Sequence, residues 1–292
     1  MTKSPGARFR SALAKEMPLQ IVGAINAYAA IMAKEVGFHA LYLSGAGVAN
    51  ASYGLPDLGM TTLDNVLTDV NRIIHAVDLP LLVDIDTGWG NSLMIARTIR
   101  LMERAGVAAV HMEDQPFEKR CGHRPKKTVI PIHEMTDRIK AAVDSRTDPS
   151  FVIMARTDAF ASEGIDKVIE RCLAYEAAGA DMHFLEAFSS LADYTACKQA
   201  LTRPILANLT EFGKTPLYAK DQLGNVGVDM ILYPLSAWRA MNLAALKVMQ
   251  EIRTKGTQVR LLEEMQTREE LYGFLNYSSY EEIIDKMKES GL

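Results

Sequence analysis

The sequence predicts an α/β protein, a (β/α)8 TIM-type barrel with a C-terminal helical extension. Short apolar segments alternate with longer amphipathic segments from one end of the chain to the other. Several of the short segments have no polar face, which is typical of parallel strands that helices cover on both sides. The alternation occurs about eight times, which favours a closed barrel. A doubly wound open sheet is the alternative, but the segment QIVGAINAYAA lacks the G-x-G-x-x-G pattern expected after its first strand.

The predicted strands are rich in Val, Ile, Leu and Tyr. They cover residues 20–25, 40–44, 81–86, 108–113, 151–158, 182–186, 204–208 and 230–234. Segments with helical spacing lie between them, at residues 27–36, 63–76, 92–105, 132–144, 165–178 and 191–199. Gly37, Gly106 and Gly179 each follow one of these segments, in the position where glycine commonly ends a helix.

The two ends of the chain are predicted to be helical parts of a single domain that covers residues 1–292. The first residues, MTKSPGARFRSALAKE, lack the apolar centre of a secretory signal, and we expect an ordinary lead-in helix there. After Ser236 the chain has helical spacing over residues 237–252, 260–275 and 280–288, which is more helix than one barrel needs. Residues 237–292 are therefore predicted to form a C-terminal extension that packs against a neighbouring subunit.

The composition excludes several classes of protein. With 292 residues, 48% of them hydrophobic and 23% charged, the chain can bury a large core, and no apolar run is long enough for a membrane-spanning helix. A net charge of −4 gives no electrostatic reason to expect nucleic acid or a membrane surface as a partner. Cys121, Cys172 and Cys197 form no C-x-x-C pair, which indicates a reducing compartment, and we expect a cytoplasmic protein.

Polar residues stand at the ends of most of the predicted strands. They are Asn26, Ser44, Asp84, Asp86, Glu113, Arg156, Asp158, Glu186 and Asn208. Each of them alone could cap the helix that follows. As a set they are better explained by function, because the carboxyl ends of the strands meet at one opening of a barrel.

An acidic pair points to a metal ion at this opening. Asp84 and Asp86 are two positions apart, and within one strand both side chains would point to the same face. With Glu113 on the next strand they would form a cluster of oxygen atoms, which suits Mg2+ better than zinc. A pair of solvated loop acids is the alternative for this D-x-D pattern alone. His111 shares the strand face of Glu113 and is either a residue of the site or a core histidine.

The connection over residues 114–131, DQPFEKRCGHRPKKTVIP, is longer than usual between a strand and a helix, and such loops are commonly functional lids. Its basic residues are Lys119, Arg120, His123, Arg124, Lys126 and Lys127. Their charge would lower the pKa of Cys121, which is therefore a candidate proton donor or nucleophile. A solvated basic loop or a nuclear-localisation-like patch is the alternative. Cys172 and Cys197 lie in helical segments and are interpreted as packing residues.

With these motifs in place, the sequence resembles the 2-methylisocitrate lyases of the isocitrate lyase/phosphoenolpyruvate mutase superfamily. The resemblance covers nearly the whole chain, through YLSGAGVA, DIDTGWG, HMEDQ, KRCGHRP, FVIMARTDA, ILANLTEFG and LYPLSAWRAMN. The K-[KR]-C-G-H motif is specific for the lyase branch. The resemblance implies a Mg2+-dependent cleavage of 2-methylisocitrate to pyruvate and succinate, in propionate breakdown by the methylcitrate cycle. Isocitrate and 2,3-dimethylmalate are alternative substrates, since one methyl group changes binding by only about 1–3 kcal/mol.

The resemblance also implies which residues hold the metal and start the reaction. Asp84 and Asp86 would bind the cation, Mg2+ or alternatively Mn2+, and Asp57 and Glu113 would support it through water. The cation would acidify the substrate hydroxyl. Three bases for that hydroxyl stay open, namely Tyr42, Asp57 and a metal-bound hydroxide.

Further roles follow from the same resemblance. Cys121 would protonate the carbanion that cleavage leaves behind, and Lys119 and His123 are counted with it as catalytic residues of the K-R-C-G-H motif. The substrate contacts would be Ser44, Gly45, Ala46, Gly122, Arg156, Glu186, Asn208, Leu209, Thr210, Arg239 and Arg268. The partner would be a small tricarboxylate substrate, and the assembly a homotetramer that exchanges C-terminal helices.

Two other functions are compatible with a barrel. A Schiff-base aldolase needs a lysine at a strand end, and none of the predicted ends carries one. A non-catalytic carboxylate-binding protein would not need both the acid cluster and the cysteine loop. The sequence therefore favours a metal-dependent carbon–carbon lyase.

Overall fold

Eight parallel strands form a closed barrel in chain order, with β8 paired to β1. The strands are β1 Leu19–Gly23, β2 Ala40–Leu43, β3 Leu81–Asp84, β4 Ala109–Glu113, β5 Val152–Thr157, β6 Met182–Leu185, β7 Ile205–Asn208 and β8 Met230–Tyr233. The computed structural model describes residues 3–120, 122 and 127–290. All the predicted strands are present in it, and the prediction of a (β/α)8 barrel is confirmed.

Helices connect the strands and cover the outside of the barrel. They are α1 Pro5–Lys15, α2 Ala27–Val36, α3 Gly45–Gly47, α4 Leu63–Ala76, α5 Ser92–Arg104, α6 Ile132–Ser145, α7 Phe160–Glu163, α8 Ile165–Ala177, α9 Leu191–Ala200, α10 Lys220–Asn225, α11 Ser236–Lys255, α12 Arg268–Phe274 and α13 Tyr277–Glu289. Gly37, Gly106 and Gly179 adopt positive φ angles of 100°, 89° and 102°, as expected for glycines that end helices.

The core has an inner and an outer layer. Inside the barrel, apolar side chains such as Leu82, Met154 and Phe184 fill the space between the strands. Outside it, the opposite faces of the strands pack against the helices, for example Val83 with the α4 and α5 residues Val70 and Ile99. Because both faces of each strand are buried, the strands need apolar residues at nearly every position.

Helix α1 closes the amino end of the barrel. Its Phe9 is fully buried and packs with the inner apolar layer. The neighbouring Arg10 donates to the backbone oxygen of Ser150 at 3.0 Å and to Asp181 Oδ1 at 2.8 Å, both of which precede strands. The predicted lead-in helix is therefore part of the barrel's packing.

The main errors of the prediction concern short helices. The segment predicted as one helix over 260–275 is wrong, because a 3-10 helix Val259–Glu264 ends before α12 begins. Thr267 starts α12 with a capping box, in which its side chain and that of Glu270 bind each other's backbone amides. Helices α3, α7 and α10 and a π-helical segment Val48–Ser52 were not predicted, because segments this short carry no clear apolar period.

The C-terminal extension exposes much apolar surface. Helix α11 has no buried residue, and Leu243 and Met249 on it are 71% and 66% exposed. The extension returns to the barrel at α2, where Tyr28 donates to Gln266 Oε1 at 2.8 Å and its ring meets that of Phe274. Among the helices described, none combines the length and the apolar character needed to span a bilayer.

Candidate active site

A cavity of about 160 Å3 lies at the carboxyl end of the barrel. Its walls contain these predicted site residues: Tyr42, Ser44, Ala46, Asp57, Asp84, Lys119, Gly122, Arg156, Glu186, Asn208, Thr210 and Arg239. A larger surface cavity, of about 580 Å3, lies between α5 and the connection before β5 and contains no predicted site residue. The site residues predicted from the sequence therefore gather at the smaller, polar cavity, to which the strand ends contribute. This cavity is the candidate active site.

Asp84 and Asp86 face the same space, but for a different reason from the one predicted. Strand β3 ends at Asp84, and Asp86 has a left-handed backbone with φ of 49°, so that the in-strand spacing argument is wrong. The turn is held by the amide of Asp86, which donates to Asp84 Oδ1 at 3.0 Å. A Cβ atom on Gly45 would lie 3.1 Å from Asp84 Oδ2 and 3.2 Å from Asp86 Oδ1. The two carboxylates therefore meet in front of the Gly45 backbone.

Lys119 supplies a buried positive charge to this acidic pair. Its Nζ lies 2.6 Å from Asp57 Oδ1 and 2.6 Å from Asp86 Oδ1, and its side chain is only 4% exposed. Burial by itself would lower the pKa of Lys119, but the charges of Asp86 and Glu113 offset this and raise it well above the ordinary value. The ammonium group therefore stays charged near neutral pH.

Arg156 is surrounded by carboxylates. Its Nε lies 3.0 Å from Asp158 Oδ2 and 3.3 Å from Glu113 Oε2. Its Nη2 lies 3.1 Å from Glu186 Oε2, and the guanidinium stacks over the ring of Phe184 at 5.0 Å. Such fixed, buried guanidinium groups are well suited to bind a substrate carboxylate.

The acids of the site differ in their protonation. Burial disfavours the charged form of Asp84, but its neighbours His111 and Lys119 offset this and lower its pKa to about 2. Burial raises the pKa of Asp86 to about 6, despite the opposing charge of Lys119. Burial also raises the pKa of Glu113 well above its ordinary value, and its Oε1 atom is buried without a hydrogen-bond partner.

Tyr42 and His111 form a buried pair below the acids. The Tyr42 hydroxyl and His111 Nε2 are 2.9 Å apart. Burial lowers the pKa of His111 to about 4, and the imidazole is therefore neutral near pH 7. Burial and the charge of Asp84 raise the pKa of Tyr42 well above its ordinary value, so that the phenol keeps its proton in this state. His111, for which the sequence left two roles open, contacts the site from within the barrel core.

Two loops complete the walls. Ser44 caps the turn of α3, because its Oγ accepts from the amide of Gly47 at 3.2 Å. On the opposite side, Asn208 donates to Glu186 Oε2 at 3.3 Å and accepts from the Thr210 hydroxyl at 3.2 Å. These contacts fix hydroxyl and amide groups at the rim of the cavity.

Some predicted residues do not line the cavity. Gly45, Asp86 and Glu113 are not part of its walls, although the carboxylates of Asp84 and Asp86 lie side by side next to Gly45. Leu209 is buried next to the cavity with 2% exposure, whereas Arg268 is exposed at the start of α12, in the C-terminal extension. Arg268 does not reach the cavity of its own chain, and its role as a substrate contact stays a prediction. Cys121 and His123 lie outside the described residues, as do Arg124 and Lys126.

Sequence reasoning also missed residues of the site. Asn50, Phe184 and Leu235 line the cavity, and Pro234 with them. The π-helical segment that carries Asn50 follows the S-G-A-G turn, and π-helical turns are often found at functional sites. Phe184, Pro234 and Leu235 could not be recognised as site residues from the sequence, because an apolar residue in or after a strand predicts only packing.

A second buried lysine, Lys127, binds the strand-end residue Asp158. The distance from its Nζ to Asp158 Oδ1 is 2.7 Å, and its side chain is 4% exposed. Asp158 also binds Arg156, and the positive charges of both partners hold the pKa of the buried Asp158 well below its usual range. Lys127 therefore stabilises the carboxylate that orients Arg156. The sequence analysis placed Lys127 among the basic residues around Cys121 and Asp158 among the strand-end residues, but it did not predict that the two would pair.

The donor set of the site fits a hard divalent cation that uses few protein ligands. Asp84 and Asp86 offer carboxylate oxygens in front of Gly45, and Glu113 has an unpartnered buried oxygen nearby in the sheet. Within residues 3–120, 122 and 127–290, no three His, Cys, Asp or Glu side chains are gathered as a metal site. Mg2+ commonly binds one or two carboxylates and keeps several waters, and the Asp84 and Asp86 oxygens beside Gly45 could supply these carboxylates.

Comparisons with known proteins identify the family of this chain. The sequence profile of the phosphoenolpyruvate phosphomutase family matches residues 9–253. The chain belongs to the isocitrate lyase/phosphoenolpyruvate mutase superfamily. Within this superfamily, a 2-methylisocitrate lyase from Shewanella oneidensis is 61% identical, over 98% of this chain and 98% of the relative. Another from Vibrio cholerae is 60% identical, over 98% of this chain and 95% of the relative.

Solved structures show the same superfamily fold. The structure of an oxaloacetate acetylhydrolase with the inhibitor 3,3-difluorooxalacetate superposes with a TM-score of 0.90. It is 31% identical in sequence, and the match covers 98% of this chain and 97% of that chain. The two 2-methylisocitrate lyases named above match this chain over nearly its full length and are carbon–carbon lyases. The chain is an enzyme of this class.

Proposed function

We propose that the chain cleaves 2-methylisocitrate to pyruvate and succinate with the help of Mg2+, as a late step of propionate breakdown. The observation that carries this proposal is the identity of 60–61% to full-length 2-methylisocitrate lyases. The cavity supports it, because its carboxylates, guanidinium and ammonium groups suit a polyanionic substrate that is bound through a cation.

The charges of the cavity suit the substrate's carboxylates. Arg156 can offer a guanidinium to one carboxylate, since Asp158 and Glu186 hold its orientation. In the turn that Ser44 caps, Ser44 and Ala46 line the cavity and would contact another carboxylate of the substrate. Arg239, whose side chain is 40% exposed and whose Nε lies 3.5 Å from Glu211 Oε2, stands at the mouth of the cavity.

The chemistry needs a proton removed from the substrate hydroxyl and a proton delivered to the carbanion. Mg2+ bound by Asp84 and Asp86 would acidify the hydroxyl. Asp57 is a candidate acceptor, although in this state it is paired with Lys119. Tyr42 keeps its proton in this state, and would need a nearby positive charge to act as the base. Cys121 is proposed as the proton donor, on the basis of its motif.

Activity on three substrates tests this function. We expect the kcat/KM for 2-methylisocitrate to exceed those for isocitrate and 2,3-dimethylmalate by at least about 10-fold, which corresponds to one well-placed methyl group. Equal or higher kcat/KM on isocitrate would refute the substrate assignment and leave the lyase class in place. EDTA should abolish activity and added Mg2+ should restore it; activity that survives EDTA would refute the metal requirement.

Cysteine variants test the proton donor. Cys121→Ser should lower kcat by at least about 100-fold, since a serine hydroxyl is a far weaker acid than a thiol. Cys197→Ala is the matched control, because this free cysteine is buried in the outer apolar layer. A Cys121→Ser enzyme that keeps a tenth of the activity would exclude the thiol as the proton donor.

We also propose a cytoplasmic homotetramer that exchanges C-terminal helices. The apolar side chains of α11 that face solvent in the isolated chain support this, as the exposures of Leu243 and Met249 illustrate. The two described cysteines are free, which fits a reducing compartment. Light scattering of the purified protein should give the mass of four chains, and a monomer that is fully active would contradict the proposal.

A further inference from the structure

The position of Lys119 bears on how the proposed cation site is filled. The Nζ atom lies 2.6 Å from Oδ1 of Asp86, which is the same oxygen that faces Gly45 beside Asp84 Oδ2. It is also 2.6 Å from Asp57 Oδ1, which was assigned a supporting role at the metal. One ammonium group is therefore ion-paired with an oxygen of a proposed direct ligand and donates a hydrogen bond to an oxygen of a proposed supporting ligand.

Two positive charges on the same carboxylate oxygen repel each other. A Mg2+ ion binds carboxylate oxygens at about 2.0–2.1 Å, and an ammonium at hydrogen-bond distance from the same oxygen would stand close to it. The repulsion is large here because the ammonium is buried and little water screens it. Without a divalent cation, however, the same ammonium balances the charges of the buried Asp86 and the half-buried Asp57.

We propose that Lys119 is an internal counter-ion that competes with the divalent cation for Asp86 and Asp57. In the metal-free protein the ammonium neutralises these carboxylates, and binding of the cation displaces Nζ from Asp86. The inference rests on the metal site of the proposed function. Its consequence is that the wild-type protein binds the cation more weakly than its carboxylates alone would allow.

The chain contains a matched control for this competition. Lys127 stands on the other side of the K-R-C-G-H motif, is equally buried, and forms an ion pair of almost the same length, 2.7 Å. Its partner is Asp158, which orients Arg156 and is not a proposed ligand of the cation. Loss of Lys127 removes the same charge and the same type of ion pair without freeing a metal ligand.

The test measures Mn2+ binding by electron paramagnetic resonance and Mg2+ binding by calorimetry, on the full chain without substrate at about pH 8, well above the ordinary pKa of a carboxyl group. Lys119→Met should tighten the binding of both cations by at least about 10-fold, because it removes the competing charge. Lys119→Arg should bind them nearly as weakly as the wild type, and Lys127→Met should stay within about 2-fold of it. Lys119→Gln replaces the methionine variant if that variant does not fold.

The outcomes distinguish a failure of the Lys119 competition from a failure of the proposed metal site. If Lys119→Met binds the cations no more tightly than the wild type, while Asp86→Asn abolishes binding, the competition is refuted and the metal site stands. If neither the wild type nor Lys119→Met binds a cation, both the competition and the metal site of the proposed function are refuted. If Lys127→Met tightens binding as much as Lys119→Met, the effect is general electrostatics and the specific counter-ion role is refuted.

Discussion

The two ends of the barrel use buried or half-buried acids in opposite ways. At the amino end, two acids receive backbone amides of a neighbouring strand or connection. Asp181 accepts from the amide of Ile153 at 3.0 Å and from Arg10 and Arg146, and Glu103 accepts from the amides of residues 147 and 148. At the carboxyl end, the acids Asp84, Asp86, Glu113, Asp158 and Glu186 cluster around three cations, Lys119, Lys127 and Arg156.

This difference separates acids that stabilise the fold from acids that are available to a ligand. A carboxylate with several amide donors has little capacity left for another partner, and its removal leaves those donors unpaired. Among the described residues of the carboxyl end, the acids outnumber the cations next to them, and Glu113 has an oxygen without a hydrogen-bond partner. The pKa of Asp86 and that of Glu113 are raised. Perturbed and incompletely paired groups of this kind are typical of functional sites.

The largest expected effect is on catalysis at the carboxyl end. Asp86→Asn should lower kcat/KM by about 1000-fold, because it removes a charged ligand of the proposed cation. The free energy of unfolding should fall little or even rise, since burial disfavours the charge of Asp86. Steady-state kinetics and urea denaturation measure the two quantities. A kcat/KM within about 10-fold of the wild type would contradict the assignment of Asp86 as a ligand.

A smaller loss is expected when the guanidinium of the same site is exchanged. Arg156→Lys should lower kcat/KM by about 100-fold, because lysine cannot bind Asp158 and Glu186 in the same forked geometry while it faces a substrate carboxylate. The loss should appear mainly in KM, since the residue is proposed to bind substrate. Unchanged kinetics would show that the guanidinium geometry is irrelevant to the reaction.

At the amino end the expected loss is in stability. Asp181→Ala should lower the free energy of unfolding by about 2 kcal/mol, because it leaves the Ile153 amide and the Arg10 and Arg146 side chains without their partner. Activity per folded molecule should stay at the wild-type level, since Asp181 does not line the active-site cavity. Chemical denaturation and kinetics on the same preparation test both statements. A variant with normal stability and impaired kcat would reverse the contrast between the two ends.

The smallest effect concerns acid stability. Burial would raise the pKa of Glu176, but hydrogen bonds from His183 and Thr202 lower it to about 2. Because its pKa is lower in the folded state, Glu176 stabilises the fold above about pH 4.5, and this contribution disappears as the pH falls towards 2. Glu176→Gln should therefore flatten the decline of the unfolding free energy between these pH values. An unchanged slope would show that these hydrogen bonds do not hold the carboxylate ionised.

The barrel and many residues of its cavity could be predicted because strand topology decides both. Apolar segments marked the strands, and parallel closure brings their carboxyl ends to one opening, so that Ser44, Asp84, Arg156, Glu186 and Asn208 meet. The spacing argument for the acidic pair failed, although the two carboxylates do converge. A left-handed turn after β3 depends on local hydrogen bonds that no periodicity reveals.

Partners contributed by loops were not predictable in the same way. The sequence indicated a basic loop, but not that Lys119 would bind Asp57 and Asp86 while Lys127 would bind Asp158. Such pairings depend on the path of a connection in three dimensions. Apolar members of the cavity wall, such as Phe184, were equally hidden, because their residue type predicts burial and does not tell what they are buried against.

The closure of the amino end by α1 has a kinetic consequence. In the part of the chain that the structure describes, Phe9 and the apolar interior behind it fill the barrel, and the active-site cavity opens at the opposite end. When a bound molecule is split, the fragment lying deeper has to wait for the outer one. Product-inhibition kinetics should then show an obligatory order of release, in which one product inhibits competitively with the substrate and the other does not. Random departure would mean that depth in the barrel does not govern the exit.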